Sequence, residues 1–316
     1  MIDNRVCAVV VTYNRKELLT RTLNALLNQT KPLDMILIID NASNDGTNEI
    51  LSNEGYLDKE NISYYKLEEN TGGAGGFYNG IKLAYEQNYD WVWLMDDDGY
   101  PADDSCLEAL LVASESFDVF GPLVLSDEKT NETSFPFGIR DHAGIVTSKD
   151  EAIRLSNTTA KFSYILDVLC PFNGILISKN VIEKVGFPDS RLFIWGDEIN
   201  YWMRCEKLRF RIATITSSYF LHPKAHNNSV KTMFGKKYFN DAPSPLKLYC
   251  YCRNHIYNVK KMKSNKLILT FSFKVFWFYL FTEPSIKKLN LAANALKDGY
   301  LEDFSKHSKF IGKSFN

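Results

Sequence analysis

The amino-acid sequence predicts an α/β fold built on a doubly wound, largely parallel sheet. Short apolar runs of strand type alternate with segments of helical periodicity, which is the pattern of repeated βαβ units. Residues 6–11 form a continuous apolar run, as expected of a central strand that is buried on both faces. Polar side chains follow three of the predicted strands, and ligands of such sheets bind beyond the carboxyl ends of the strands.

Spacing and stop signals define the elements of the first hundred residues. In residues 16–29, leucines recur at helical intervals, and Pro32 ends the pattern. The glycine-rich residues 70–80 open a helix that runs to about residue 87, and a shorter helix lies near residues 47–52. The predicted strands span residues 6–11, 35–39, 62–66 and 91–95.

Three consecutive carboxylates, Asp96, Asp97 and Asp98, end the last of these strands. In an extended segment Asp96 and Asp98 share one face, which supplies half of a site for Mg²⁺ or Mn²⁺. Phosphate oxygens and water typically complete such a site. The alternative is a solvated acidic turn. Because crossovers keep parallel strands pointing one way, residues 12–15, Asp40 and the acidic triplet should meet at one edge of the sheet.

Composition indicates a globular protein, with 45% hydrophobic and 24% charged residues and a net charge of −1. This charge excludes a global field that attracts nucleic acid. The six cysteines show no CxxC spacing, so we expect reduced thiols and a cytoplasmic location. The apolar run at residues 6–11 is too short for a signal peptide, and none is expected.

Two further features suggest a nucleotide site. Asp40 would accept a hydrogen bond from a ribose hydroxyl or a base N–H, although a helix cap is the alternative. The glycine-rich residues 70–80 allow close backbone approach to a ligand, but they fit neither of the common phosphate-loop patterns and are weak evidence alone.

The sequence resembles family 2 glycosyltransferases, and the resemblance covers residues 5–225 best. It rests on four motifs in order, at residues 10–15, 40–47, 70–77 and 96–98. It implies the GT-A fold and a nucleotide-diphosphate sugar as donor. The Trp-Leu-Met-Asp-Asp-Asp-Gly form of residues 93–99 is most similar to galactofuranosyltransferases and then to rhamnosyltransferases of bacterial surface polysaccharide synthesis.

The resemblance also implies roles for individual residues on the donor side. A His after the strand at residues 212–220 would complete the metal site, and by position this is His222, although a surface histidine is the alternative. The metal ligands are then Asp96, Asp98 and His222, holding Mn²⁺ or Mg²⁺. The implied donor-binding residues are Thr12, Tyr13, Arg15, Asp40, Asn70, Gly73, Asp96 and Asp97.

The acceptor side follows in the second half. An inverting transferase needs a carboxylate base, which the resemblance places at Glu198 with Asp197 in support. The order Asp-Glu departs from the usual pair and leaves the base open between them, and acids that stabilise a helix N-terminus are the alternative. The implied acceptor contacts are Trp195, which would stack on a sugar or lie in the core, together with Asn173, Gly174 and His226.

The last third is rich in aromatic residues. Residues 267–281 are strongly apolar but too short to span a bilayer, and four lysines precede them at residues 260–266. A peripheral membrane contact and a homo-oligomer or packing interface are equally supported. We expect a final helix at residues 291–306 and an acceptor-side insertion or flexible loop at residues 126–160. The predicted domains are 1–240, catalytic, with a donor half (1–100) and an acceptor half (101–240), and 241–316, helical.

Together these features predict a metal-dependent inverting hexosyltransferase. The favoured reaction moves galactofuranose from UDP-galactofuranose to a glycan or lipid-linked glycan acceptor. The alternatives are a rhamnosyltransferase that uses dTDP-rhamnose and a non-catalytic module that binds a sugar or nucleotide. A sugar nucleotidyltransferase is disfavoured, because it needs a glycine-rich basic signature after the first strand, where this chain has Thr-Tyr-Asn-Arg.

Overall fold

The computed structural model describes residues 4–140, 142–170, 172–224 and 229–315. Contacts within it define two compact units. The first unit comprises the described residues of Met1–Thr71, Gly76–Pro188 and Tyr201–Ala225, and the second comprises those of Gly72–Gly75, Asp189–Asn200 and His226–Asn316.

The described residues form strands and helices that alternate regularly in the first half of the chain. The strands are β1 (Val6–Thr12), β2 (Met35–Asp40), β3 (Ile62–Lys66), β4 (Trp91–Asp96), β5 (Tyr100–Pro101), β6 (Val119–Ser126), β7 (Glu132–Phe137), β8 (Val146–Ser148), β9 (Asn157–Thr158), β10 (Ser163–Leu166), β11 (Ile175–Ser178), β12 (Ile212–His222), β13 (Ser229–Thr232) and β14 (Lys237–Asn240). The helices are α1 (Lys16–Leu27), α2 (Thr47–Asn53), α3 (Gly72–Glu86), α4 (Cys106–Leu111), α5 (Lys149–Arg154), α6 (Lys179–Val185), α7 (Asp197–Lys207), α8 (Pro245–Lys261), α9 (Asn265–Trp277) and α10 (Ile286–Leu301).

One sheet organises the first unit, with strand order β3-β2-β1-β4-β11-β6-β12-β10-β9. The strands β3, β2, β1 and β4 are parallel, whereas β11 runs antiparallel to both of its neighbours. Thr12 is in register with Asp40, and Val11 with Asp96. The predicted doubly wound α/β fold and the common edge of these three strand ends are therefore confirmed.

Alternate residues of β1 pack into two different cores. Ala8 and Val10 join the leucines of α1, whereas Val9 and Val11 join Phe77 of α3. The helices therefore cover opposite faces of the sheet, because successive side chains of a strand point to opposite sides. This explains why β1 has no polar face.

The expectation of a flexible loop at residues 126–160 is wrong. This stretch contains β7, β8, α5 and β9. Val146 and Ala152 are fully buried against Leu123 and Leu125 of β6. Few apolar residues hold these short elements, which is why periodicity did not reveal them.

The second unit contains a β13–β14 hairpin and the helices α8, α9 and α10. A π-helical turn, Phe278–Thr282, continues α9. The final helix lies five residues earlier than predicted, because the Ser285 hydroxyl caps its start and Glu302, at a φ of 59°, ends it. Across the described ranges, no helix is long and apolar enough to cross a membrane.

Candidate functional site

The acidic triplet after β4 is held by the segment that follows β1. One oxygen of the buried Asp97 carboxylate accepts hydrogen bonds from the Thr12 hydroxyl (2.8 Å) and the Tyr13 backbone N–H (3.3 Å). The Arg15 guanidinium donates to the other oxygen at 3.2 Å. Burial raises the pKa of Asp97 to about 6, although Arg15 and Thr12 oppose the shift. Three predicted donor-binding residues therefore position the predicted carboxylate Asp97.

Asp98 is paired with His222 and Arg15. Its Oδ1 lies 3.1 Å from the His222 Nε2, and its Oδ2 accepts from Arg15 at 2.6 Å. Burial by itself would raise the pKa of Asp98, but these two cationic partners outweigh it and hold that pKa below its usual value. The structure thus brings His222, the last residue of β12, to the end of β4.

The orientation of His222 is fixed from its other side. Its Nδ1 lies 2.6 Å from the Pro223 carbonyl oxygen, and its ring packs against Phe135 at a centroid distance of 4.8 Å. A carbonyl oxygen can only accept a hydrogen bond, so Nδ1 carries the proton, and Nε2 presents its lone pair towards Asp98 when the ring is neutral. Burial alone would lower the pKa of His222, but Asp98 outweighs it and raises that pKa.

Asp96 completes the cluster. Burial and the charges of Asp98 and Asp97 raise the pKa of its carboxyl to about 8. Carboxylate oxygens and an imidazole nitrogen are donors that suit Mn²⁺ or Mg²⁺, and a divalent cation would offset this crowding of carboxylates. A metal site made of Asp96, Asp98 and His222 stays a prediction. Within the described ranges, no three or more His, Cys, Asp or Glu side chains stand in a metal-binding arrangement, and Asp98 and His222 contact each other directly.

Arg21 and Thr22 of α1 also fix the acidic turn, and sequence reasoning missed them. The Thr22 hydroxyl lies within hydrogen-bonding distance of the Asp97 and Gly99 carbonyl oxygens, at 2.9 and 3.0 Å. Arg21 donates to the Asp98 carbonyl at 3.3 Å. These bonds join a helix to a turn 75–77 residues away. Arg21 and Thr22 are polar residues within a helical pattern, and nothing in that pattern indicates a distant partner.

Asp40 ends β2 and is fully buried. One of its carboxylate oxygens accepts from the Ser43 backbone N–H at 2.8 Å, and the other accepts from the Tyr64 hydroxyl. The carboxylate therefore shapes the turn after β2, and direct contact with a nucleotide stays a prediction.

The glycines at the start of α3 have different roles. A side chain at Gly76 would come within 2.4 Å of Val11, and one at Gly80 within 2.3 Å of Val9, so these two glycines let the helix approach the sheet closely. A side chain at Gly73 would meet nothing within 4 Å. Of these three, Gly73 alone has open space beside it, as a donor-binding role requires. Nearby Asn70 is partly exposed, and its donor contact stays a prediction.

Asn173 and Gly174 precede β11 and are both buried. Gly174 has a φ of +77°, and a side chain there would lie 2.8 Å from the Phe220 ring. This conformation and close packing require glycine. The predicted acceptor contact of either residue stays a prediction, and His226 lies outside the described residues.

In the second unit, residues 192–198 form a strained loop that leads to Asp197 and Glu198. Phe193 and Trp195 have φ values of 68° and 60°, which non-glycine residues rarely adopt. Asp197 is 4% exposed. Glu198 is more exposed, and its carboxylate accepts from the Gly196 backbone N–H at 3.0 Å. Trp195 is partly buried, with its ring 6.4 Å from that of Tyr251.

Side chains of helix α8 hold this loop by donating hydrogen bonds to the loop's backbone carbonyl groups. The Asn254 side-chain amide lies 2.9, 3.0 and 2.7 Å from the carbonyl oxygens of Leu192, Ile194 and Trp195. The Asn258 amide donates to the Gly196 carbonyl at 2.8 Å. The fully buried Arg253 also donates to the Leu192 carbonyl, at 2.8 Å. Nothing in the sequence indicated which carbonyl groups Arg253, Asn254 and Asn258 would bind.

The chain is similar in sequence and in fold to known glycosyltransferases. Residues 7–164, half of the chain, match the model for "Glycosyl transferase family 2". The chain is 27% identical to galactofuranosyltransferase GlfT1 of Mycolicibacterium smegmatis over 287 residues, which cover 90% of this chain and 92% of that protein. It is 29% identical to GlfT1 of Mycobacterium tuberculosis (strain H37Rv) over 288 residues, with 90% and 91% covered. A crystal structure of GalNAc-T7 with UDP, GalNAc and Mn²⁺ superposes with a TM-score of 0.58 at 14% identity, covering 97% of this chain and 57% of that one, which shows the fold alone.

Proposed function

The chain belongs to glycosyl transferase family 2, and from this premise we propose that it is a metal-dependent inverting galactofuranosyltransferase. That it is a glycosyltransferase with the GT-A fold follows from the family. The favoured donor is UDP-galactofuranose, since both GlfT1 relatives carry that activity in their names. The observation that carries the proposal is the pairing of Asp98 with His222 at 3.1 Å, beside the charge-crowded Asp96.

We propose that Asp96, Asp98 and His222 hold Mn²⁺ or Mg²⁺, which would stabilise the negative charge of the departing diphosphate. Arg15 has a side chain that is 50% exposed and pairs with both Asp97 and Asp98. It would bind the same diphosphate from the protein side, because guanidinium matches phosphate oxygens well. Tyr13 is 42% exposed and would cover the nucleotide.

For the base, the proposal favours Glu198 over Asp197. A base must reach the proton of the acceptor hydroxyl, and Glu198 is the more exposed of the two. Its bond from the Gly196 N–H fixes the carboxylate without burying it. Asp197 would then support the start of α7, where negative charge is favourable. The acceptor is a glycan or lipid-linked glycan, with Trp195, Asn173 and Gly174 as the proposed contacts.

Calorimetric titration of the full-length protein tests the donor. UDP-galactofuranose, UDP-galactose, UDP-glucose and dTDP-rhamnose would be titrated with Mn²⁺ and with EDTA, with UDP and dTDP as references. We expect metal-dependent binding of UDP and added affinity from galactofuranose. Binding of dTDP-rhamnose alone would instead support the rhamnosyltransferase. Binding without released nucleoside diphosphate in the presence of acceptor would support a non-catalytic module.

The cellular location is also part of the proposal. No disulfide joins the six cysteines, all of which are described, and five of them are buried. Cysteines without disulfides are common where the environment is reducing, so we propose a cytoplasmic enzyme. A lipid-linked acceptor would present its sugar at the inner face of the cell membrane.

A further inference from the structure

The second unit carries a continuous exposed aromatic surface. Phe234, at the tip of the β13–β14 hairpin, is 89% exposed and lies 5.5 Å from the Trp277 ring of α9. The same indole contacts Phe273 at 5.9 Å and Phe281 at 4.9 Å, and these two phenylalanines are 55% and 66% exposed. We call Phe234, Phe273, Trp277 and Phe281 the aromatic patch. Exposed large aromatic rings in contact with one another mark an interaction surface.

The chain around this patch is strongly basic. Residues 229–282 contain ten Lys or Arg and one acidic residue, Asp241, although the whole chain has a net charge of −1. The Asp241 carboxylate is itself paired with Lys288 at 2.7 Å. The remainder of the chain is therefore acidic, and positive charge is concentrated in the segment that carries the aromatic patch.

Several of these lysines are exposed and have no acidic partner among the described residues. Lys236 and Lys237 follow Phe234 after the hairpin tip, whereas Lys263 lies just before α9 and Lys266 in its first turn, at the other end of this helix from Trp277. Burial and the nearby charge of Lys237 lower the pKa of Lys274 on α9, so these two like charges lie close together.

We propose that the aromatic patch and its lysines bind the surface of an anionic lipid bilayer. Aromatic side chains favour the boundary between headgroups and acyl chains, and each nearby lysine adds attraction to anionic lipid. A second copy of the chain fits less well, because a two-fold contact would place this basic segment opposite itself. The proposal does not depend on glycosyl transfer. Binding to a membrane would bring the protein to the surface where a lipid-linked acceptor lies.

Co-sedimentation of the full-length protein with vesicles tests the proposal. One set of vesicles would contain phosphatidylcholine alone and the other equal parts of phosphatidylcholine and phosphatidylglycerol. We expect binding to the anionic vesicles that weakens with added salt, and little binding to the neutral ones. Absence of binding to both sets would overturn the proposal.

Paired variants locate the surface. Lys236→Glu with Lys237→Glu should weaken binding to anionic vesicles by at least about 25-fold, because each lysine contributes roughly a factor of five. Phe234→Ser with Phe281→Ser should also weaken it. Lys59→Glu with Lys207→Glu changes the net charge equally at exposed lysines of the first unit and serves as the control. Equal binding by control and test pairs would contradict the assignment.

Size-exclusion chromatography of the same proteins distinguishes a membrane partner from a second copy of the chain. If the parent chain were a dimer and Phe234→Ser with Phe281→Ser made it monomeric, the aromatic patch would be a subunit interface and the proposal would be wrong. Calorimetric binding of UDP with Mn²⁺ to every variant, without vesicles, should remain unchanged. Loss of vesicle binding therefore cannot be confused with failure of the proposed donor site.

Discussion

The acidic cluster, which is Asp96, Asp97 and Asp98, and the loop at residues 192–198 hold their carboxylates in place in different ways. The acidic cluster follows a central strand, and neighbouring strands in register deliver Thr12 and Asp40 to the same edge. The loop leads into helix α7, and its strained backbone is held by side-chain amides of α8. The sheet thus places one group of acids at a strand end, where the side chains of Thr12, Arg15 and Thr22 also hold it. Side chains of α8 hold the backbone that leads to the other group. We therefore expect single substitutions to change metal-dependent UDP binding in the acidic cluster and to change kcat in the loop.

The largest effect is expected at the acidic cluster itself. Asp98→Asn keeps the size of the side chain but removes the charge that pairs with His222 and Arg15. We expect transfer to fall by about 10³-fold and Mn²⁺-dependent UDP binding to be lost, with the fold unchanged. Calorimetry and released UDP measure the two effects. Asp104→Asn, an exposed acid of the same unit, is the control; metal-dependent binding by Asp98→Asn would exclude Asp98 as a ligand.

A second large effect is expected in the loop. Glu198→Gln should lower kcat by about 10²–10⁴-fold while leaving UDP binding intact, because a base acts on the acceptor and not on the nucleotide. Asp197→Asn should reduce kcat less and should also lower stability, since Asp197 is buried at the start of α7. Single-turnover rates and thermal unfolding distinguish the two variants. The reverse pattern, with the larger loss of kcat in Asp197→Asn, would move the base one residue back.

These two regions also differ in how far the sequence predicted them. Continuous apolar strands with polar ends predict a parallel sheet, and a parallel sheet brings its strand ends together, so the contacts between Thr12 and Asp97 could be expected. The meeting of His222 with Asp98 needed motif similarity, because β12 lies far along the chain. The bonds from Asn254 to the loop had no sequence signal. Polar side chains that bind distant backbone carbonyls leave no periodic pattern, and positive φ at Trp195 is unexpected for a tryptophan.

Asn254 offers a direct test of how the loop is held. Asn254→Asp keeps the oxygen that accepts from Arg253 Nε but removes the amide that binds three carbonyl groups. We expect kcat to fall by roughly tenfold with KM for the donor unchanged, and stability to fall by about 2–3 kcal/mol from unsatisfied carbonyls. Asn294→Asp, on the exposed face of α10, is the control. A loss of stability with full kcat would mean that Asn254 is structural and does not position the base.

The smallest expected effect is on the pH dependence of the unfolding free energy, and it comes from His255, the neighbour of Asn254 on α8. His255 stacks on Phe271 with ring centroids 3.8 Å apart, and burial together with Lys274 lowers its pKa from 6.5 to about 4. The folded state therefore favours neutral His255, and its contribution to stability is complete above pH 6.5 and is lost as pH falls towards 4. Linkage predicts a loss of about 1–2 kcal/mol between roughly pH 7.5 and pH 5 from this group. His255→Phe keeps an aromatic ring on Phe271 but cannot take up a proton, so its unfolding free energy, measured by denaturant titration across this range, should fall less than that of the parent chain. An equal fall in both proteins would show that other groups control the acid sensitivity of the second unit.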